Sequence, residues 1–118
     1  CLFYGNHCIG ESFLEKEHGA FAFVGNTHYG FYSSYKDQGS SQLFEREMMD
    51  AIVNEGKTNL GMALADSKSD LAALIGAVGS LRWVGLDNSF FGDPHLSLHL
   101  DVANVSAVQT SDDQITVT

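Results

Sequence analysis

Long apolar runs, cysteine and basic residues are all scarce in this chain of 118 residues. Each scarcity excludes a class of function. The longest apolar stretches, 20–24 and 71–78 with Gly76 inside the second, fall far short of the roughly 20 residues that a membrane-spanning helix requires. Two cysteines, Cys1 and Cys8, are too few for a disulfide-built scaffold. A bridge between them would close only a short loop, and they leave the redox compartment open. Six basic residues stand against fifteen acidic ones, a formal charge of -9. Such a surface repels phosphate backbones and anionic lipid, so neither nucleic acid nor a membrane is expected as a partner. There are no internal repeats and no low-complexity tract.

Apolar surface, in contrast, is plentiful. Hydrophobic residues make up 44% of the chain, with eight Phe, four Tyr and one Trp. That is enough to offset the conformational entropy of one ordinary domain, and the chain is too short for two. It opens on Cys1 without an initiator Met and without the profile of a signal peptide. The natural start is therefore expected upstream, and the chain is read as a piece of a larger polypeptide.

Asn6 is a suitable helix N-cap and Gly19 a suitable C-terminal glycine, with Ile9, Phe13 and Leu14 as a partial stripe between them, which predicts a helix over 7–18. The run from Ala20 to Val24 lacks polar alternation and is bounded by Gly19 and Gly25-Asn26, the pattern of a strand buried on both faces. From Thr27 to Ser41 the chain is rich in Gly, Ser, Tyr and Asn/Asp without a period, a long loop of the kind that usually carries function. Leu43, Phe44, Met48, Ala51 and Ile52 recur at three- and four-residue steps and predict a helix of about four turns, which Asn54 and Gly56 can end. Further helix is expected from Asn59, with Ser67 and Asp70 as a capping box that divides it before Leu71, Leu74, Ile75, Val78 and Leu81. Gly92-Asp93-Pro94 reads as a turn. Beyond it Leu96, Leu98 and Leu100 alternate with polar residues as in a half-buried strand, and the tail to Thr118 is β-prone. Alternating strands and helices indicate an α/β layer fold with too few strands to close a doubly covered sheet alone.

Several residues invite chemistry. Cys8 at a helix start meets unpaired N–H groups that would lower its thiol pKa, although His7 beside it points away and a small buried residue would look the same. His95 and His99, on a strand, would lie about 13 Å apart, too far to share one ion easily. Glu11, Glu15 and Glu17 read as a solvated helix face, and nothing resembles a phosphate-cradling glycine loop. The segment from Gly25 to Tyr32 carries more information, since it places three aromatics, a His and two glycines where the chain leaves its best strand. Ligands of open α/β sheets bind at that edge, though aromatics can also pack beneath it.

Four segments in order, Cys8-Ile9-Gly10-Glu11-Ser12-Phe13-Leu14, then Gly19 through Gly30, then Gly61-Met62-Ala63-Leu64 with Ser67-Lys68, then Phe91-Gly92-Asp93-Pro94-His95-Leu96, resemble the C-terminal half of a gingipain-type cysteine peptidase domain. The resemblance covers residues 1 to about 100. It implies an α/β fold, a partial caspase-like (Rossmann-like) three-layer sheet with helices, followed by C-terminal β-strands. Residues 101–118 would be the lead-in to, or first strand of, a following immunoglobulin-like β-sandwich domain. In that family the catalytic His and Cys precede the helix that begins here at Cys8. Cys8 matches a second, non-nucleophilic cysteine, and Leu2-Phe3-Tyr4-Gly5 after Cys1 lacks the nucleophile's pattern. The Cys/His dyad is therefore expected upstream, and no catalytic residue, metal ligand or cofactor is assigned to this chain.

By the same resemblance Thr27, His28, Tyr29, Gly30, Phe31 and Tyr32 would line the pocket for the residue before the scissile bond. Tyr32 would stand where an aromatic packs on the substrate side chain, while Gly30 and Phe31 replace polar residues found in some members. The expected function is that of a fragment of an extracellular or cell-surface cysteine endopeptidase acting on peptides or proteins, inactive alone. The alternative is a noncatalytic binding or secretion-associated module of the same fold. Homo-oligomers are expected wherever the sheet edge lies open.

Overall fold

A helix built on Leu43, Phe44, Met48, Ala51 and Ile52 has one apolar face that must be covered. In the computed structural model, which describes residues 7–100 and the backbone of 107–109 and 115–117, that helix is the spine of the fold. The elements run α1 (Ile9–Glu15), β1 (Ala22–Asn26), α2 (Ser40–Val53), α3 (Leu60–Asp70), α4 (Ala72–Ala77), α5 (Gly79–Asp87) and β2 (Asn88–Gly92). Two short strands follow, β3 (Ala107–Gln109) and β4 (Ile115–Val117), paired antiparallel. The β-prone tail thus contributes two paired strands, and the chain is α/β.

The two ends of α2 bury different clusters. Near its start Phe44, 1% exposed, meets Leu71, Leu81 and Val84, with Leu43 and Ile75 packed alongside. Near its end Ala51 and Ile52 meet Leu60 and Ala63 of α3, flanked by Ala22 and Phe90 from the strands and by Leu96 and Leu98. Burying one such large side chain contributes about 1.5–3 kcal/mol. Asn54 caps the helix, its N–H donating to the Asp50 carbonyl at 2.9 Å.

Five expectations change. The first helix is shorter than 7–18, because Cys8 is its N-cap, with the Cys8 N–H donating to Glu11 Oε2 at 2.8 Å. The helix ends at Glu15, and Gly19 belongs to a separate turn, where its N–H reaches the Lys16 carbonyl at 2.9 Å and Ala20 N–H reaches Phe13 O at 2.8 Å. Second, the strand starts two residues later than Ala20, and all five of its residues are half-buried instead of enclosed on both faces. Its partner is β2, antiparallel, in the register Ala22↔Gly92 through Asn26↔Asn88.

Third, α2 starts at Ser40, inside the expected loop, with Gly39 as N-cap donating its N–H to Gln42 Oε1 at 3.0 Å. Fourth, Ser67 is buried within α3, where its hydroxyl donates to the Leu64 carbonyl at 2.8 Å, so it caps nothing. The breaks fall instead at Leu71 and Val78, giving three helices where two were expected. Fifth, the segment after Pro94 makes a single bridge, Asn59↔Ser97, flanked by Leu60 N–H to Leu96 O and Leu98 N–H to Thr58 O, both 2.9 Å. Leu96 and Leu98 face the core as the alternation requires, without a regular ladder.

Two contacts lock α3 to the strand region. Gly61 donates its N–H to Pro94 O at 3.0 Å, and a Cβ there would lie 2.7 Å from that oxygen, so only glycine lets the turn sit on the helix. Lys68 donates from Nζ to Asn88 O at 2.8 Å. Partial burial lowers its pKa from the usual lysine value. No helix among the described residues is long and apolar enough to cross a membrane.

Candidate substrate-binding site

The antiparallel pair brings the start of β2 beside the end of β1, and the six residues singled out above begin there. Thr27 is fixed at both its polar groups: its N–H donates to Asp87 O at 3.0 Å and its hydroxyl to Asp87 Oδ1 at 2.5 Å. Asp87 is 9% exposed, and among the described residues its Oδ2 has no partner. Together with Trp83 and Leu86 these two residues line a cavity of about 200 Å³. His28, half-buried, sets its ring edgewise to Trp83 at 6.1 Å and to Tyr29 at 4.2 Å between centroids, the geometry that aromatic quadrupoles favour. Its Nδ1 is buried without a partner among the described residues.

From Tyr29 onward the loop turns outward. Tyr29 and Tyr32 are exposed, the latter at 78%, and Tyr35 at 98% projects furthest. Ser41, in the first turn of α2, holds this stretch. Its hydroxyl oxygen accepts from Asn26 Nδ2 at 3.1 Å and from Phe31 N–H at 3.0 Å, and its own N–H donates to Phe31 O at 3.1 Å. Gly30 packs against the Asn26 and Ser41 side chains. Tyr32 borders a second cavity, between the loop, α4 and α5, of about 430 Å³. The six residues are thus consecutive along one ridge yet serve two cavities, Thr27 the small one and Tyr32 the large.

The other sequence candidates are dispersed. Cys8 is half-buried, and no histidine among the described residues hydrogen-bonds its thiol. His7 Nδ1 lies 3.4 Å from Glu15 Oε2. Glu11 caps α1 and Glu15 faces His7, while Glu17 lies beyond the end of the helix and is exposed. His95 belongs to the turn, 3.7 Å from Asp93 Oδ1, and His99 is exposed further along the extended segment.

Sequence reasoning missed a charged cluster where the end of α2 faces α3. Carboxylate oxygens of Glu55, Asp66 and Asp70 lie within 4.8 Å of one another. The Lys57 ammonium bonds Asp66 and, at 2.5 Å, Glu55, and these partners hold its pKa above the usual lysine range. Lys57 already supplies positive charge to this cluster. Asp70 is raised above the ordinary carboxylate pKa, chiefly by the Asp66 charge, with desolvation and Glu55 adding to it. An acid whose folded pKa exceeds its unfolded one costs stability above the folded pKa, and the cost vanishes below the unfolded pKa. Asp70→Asn should therefore raise Tm at pH 7 and lose that advantage by about pH 3, below the unfolded carboxylate value. Thermal unfolding at the two pH values checks this, and an unchanged or lowered Tm at pH 7 contradicts it.

A family model described as peptidase family C25 matches residues 3–99. The chain belongs to peptidase family C25. Comparison with curated proteins and with solved structures found no match. The C25 segment takes in every element from α1 to β2 together with the 27–39 loop. The gingipain-type resemblance of the four sequence motifs and the family assignment therefore agree over the same stretch. In this C25 chain Ser41, Trp83 and Asp87 had no sequence signal as site residues, because each joins the loop only through the fold.

Proposed function

We propose that this chain is the C-terminal portion of the catalytic domain of a secreted, gingipain-like cysteine endopeptidase. It supplies scaffold and substrate pocket to a caspase-like layered sheet, and the Cys/His dyad is carried by preceding sequence. Residues 1–100 are the peptidase part and 101–118 lead into a following β-sandwich domain. The family match over 3–99, which includes the exposed loop at the C-terminal end of β1, carries this reading. Peptides or proteins are the substrates.

In this reading Thr27 to Tyr32 receive the residue before the scissile bond. Thr27 is pinned by Asp87 and Phe31 by Ser41, so the ridge is held at both ends before substrate arrives. Such preorganisation lowers the ordering cost of binding. Tyr32, with most of its ring in water, offers an aromatic face whose covering by a substrate side chain favours binding.

Tyr32→Ala in the full-length enzyme should lower kcat/KM by roughly 10- to 200-fold, the range set by lost pocket contact. Its stability should change by no more than about 0.5 kcal/mol, as for an ordinary surface position. An unchanged kcat/KM would remove Tyr32 from the pocket. The present chain alone should show no thiol-dependent peptide hydrolysis, because among the described residues no histidine hydrogen-bonds the Cys8 thiol to activate it. Turnover that disappears in Cys8→Ala would overturn that. Exposed Ile9, Phe13 and Phe21 support self-association of the isolated chain, which sedimentation would register as species larger than a monomer.

A further inference from the structure

The larger cavity has a lining unlike the rest of this acidic molecule. Its apolar lining comes from Leu43 of α2, Leu74 and Val78 around α4, and Leu81 of α5. Leu74 and Val78 remain partly open to water at its mouth. In a chain with fifteen acidic and six basic residues, Lys36 is, among the described residues, the one charged residue lining it, and none of their carboxylates lines it. No acidic group among the described residues pairs with the Lys36 ammonium.

Two hydroxyls complete the polar side. Ser40 Oγ and Ser80 Oγ are 2.8 Å apart, so one donates to the other. A hydroxyl carries a single proton to donate, so the pair uses one O–H and keeps the second. Among the described residues neither serine side chain has another partner, and that second O–H is free for an outside acceptor. A volume of about 430 Å³ lies within the range of small-ligand pockets, which combine apolar walls with a few placed polar groups.

We propose that this cavity binds the C-terminal residue of a peptide, with an apolar side chain against Leu43, Leu74, Val78 and Leu81. Its free carboxylate lies at Lys36 and the Ser40–Ser80 pair. Charge selects the occupant: a carboxylate gains a charge-assisted hydrogen bond from the ammonium and a second bond from the spare hydroxyl. A neutral amide gains neither charge term. A cationic group would face Lys36 without a counter-charge. Tyr32 borders this cavity too, but the assignment does not depend on the peptidase reading, since binding a carboxylate does not require the 27–32 loop to touch a scissile bond.

The test is an NMR titration of the full chain with N-acetyl-leucine and with the neutral N-acetyl-leucinamide. The carboxylate should bind about tenfold more tightly than the amide, as one charge-assisted contact provides. Its amide-proton shifts should be confined to 32–43 and 74–81. Lys36→Gln, at an exposed position where folding is not at stake, should bring the two probes within about twofold of each other, since only the charge term is removed. Equal affinities in the unaltered chain, shifts centred elsewhere, or no binding of either probe at about 10 mM, where even millimolar affinity would register, would each overturn the proposal. Retained tenfold discrimination in Lys36→Gln would do so as well.

Discussion

Phe44→Ala will lower stability by about 3–5 kcal/mol, the usual cost of emptying an aromatic core site. The Phe44 ring is 1% exposed and joins α2 to Leu71, between α3 and α4, and to Leu81 and Val84 of α5. Little can collapse into the space, because Gly85 opposite the ring has no side chain and Ile75 is already packed there. Domains of this size hold only about 5–15 kcal/mol in total, so the variant would sit near the unfolding threshold at body temperature. Each kcal/mol shifts Tm by about 4–8 °C in a domain of 60–100 residues, so a drop well above 10 °C is expected. A drop under about 5 °C, corresponding to roughly 1 kcal/mol, would mean that the cluster around Phe44 is not a principal source of stability.

Gly39→Ala should displace the candidate site while leaving the core intact. A Cβ at Gly39 would stand 2.4 Å from the Tyr32 Cα and 2.7 Å from the Phe31 carbonyl oxygen. Both are main-chain atoms and cannot rotate aside, so the loop must move off α2. That movement pulls Phe31 from Ser41 and shifts Tyr32 at the mouth of the larger cavity. The cost should be about 1–3 kcal/mol, typical of forced overpacking. Faster hydrogen exchange at the Phe31 amide, with native exchange retained at Ala51 and Ile52, is the expected signature. Unchanged exchange at Phe31 would show that the loop accommodates the methyl group without leaving Ser41.

Helix α2 could be read from the sequence because Phe44, Met48, Ala51 and Ile52 repeat with the helical period and nothing competes with that signal. Strand β2 could not. Asn88-Ser89-Phe90-Phe91-Gly92 has no alternation and follows a helix directly, so only its pairing with β1 makes it a strand. The break expected at Ser67 shows a related limit. Its hydroxyl suits a cap, but a buried serine can satisfy itself on Leu64 O within the helix. At the site, the glycines and aromatics between Gly25 and Tyr32 announced a loop of interest. The groups that hold that loop did not, because Asp87, 60 residues from Thr27, and Trp83 approach it only through the fold. Ser41 looks like any serine at a helix start.

The pairing of β1 with β2 has a further consequence for the integrity of the chain. The most exposed point of the loop, Tyr35, lies between β1 and every helix that forms the core, and the tip of an exposed loop is where proteases nick a fold first. A cut there would divide the polypeptide while leaving its halves associated. The N-terminal piece would still be held by five residue pairs to β2, by Thr27 on Asp87, and by Ala22 against the cluster at the end of α2. Denaturing electrophoresis would then display two fragments from a protein that migrates as one under native conditions.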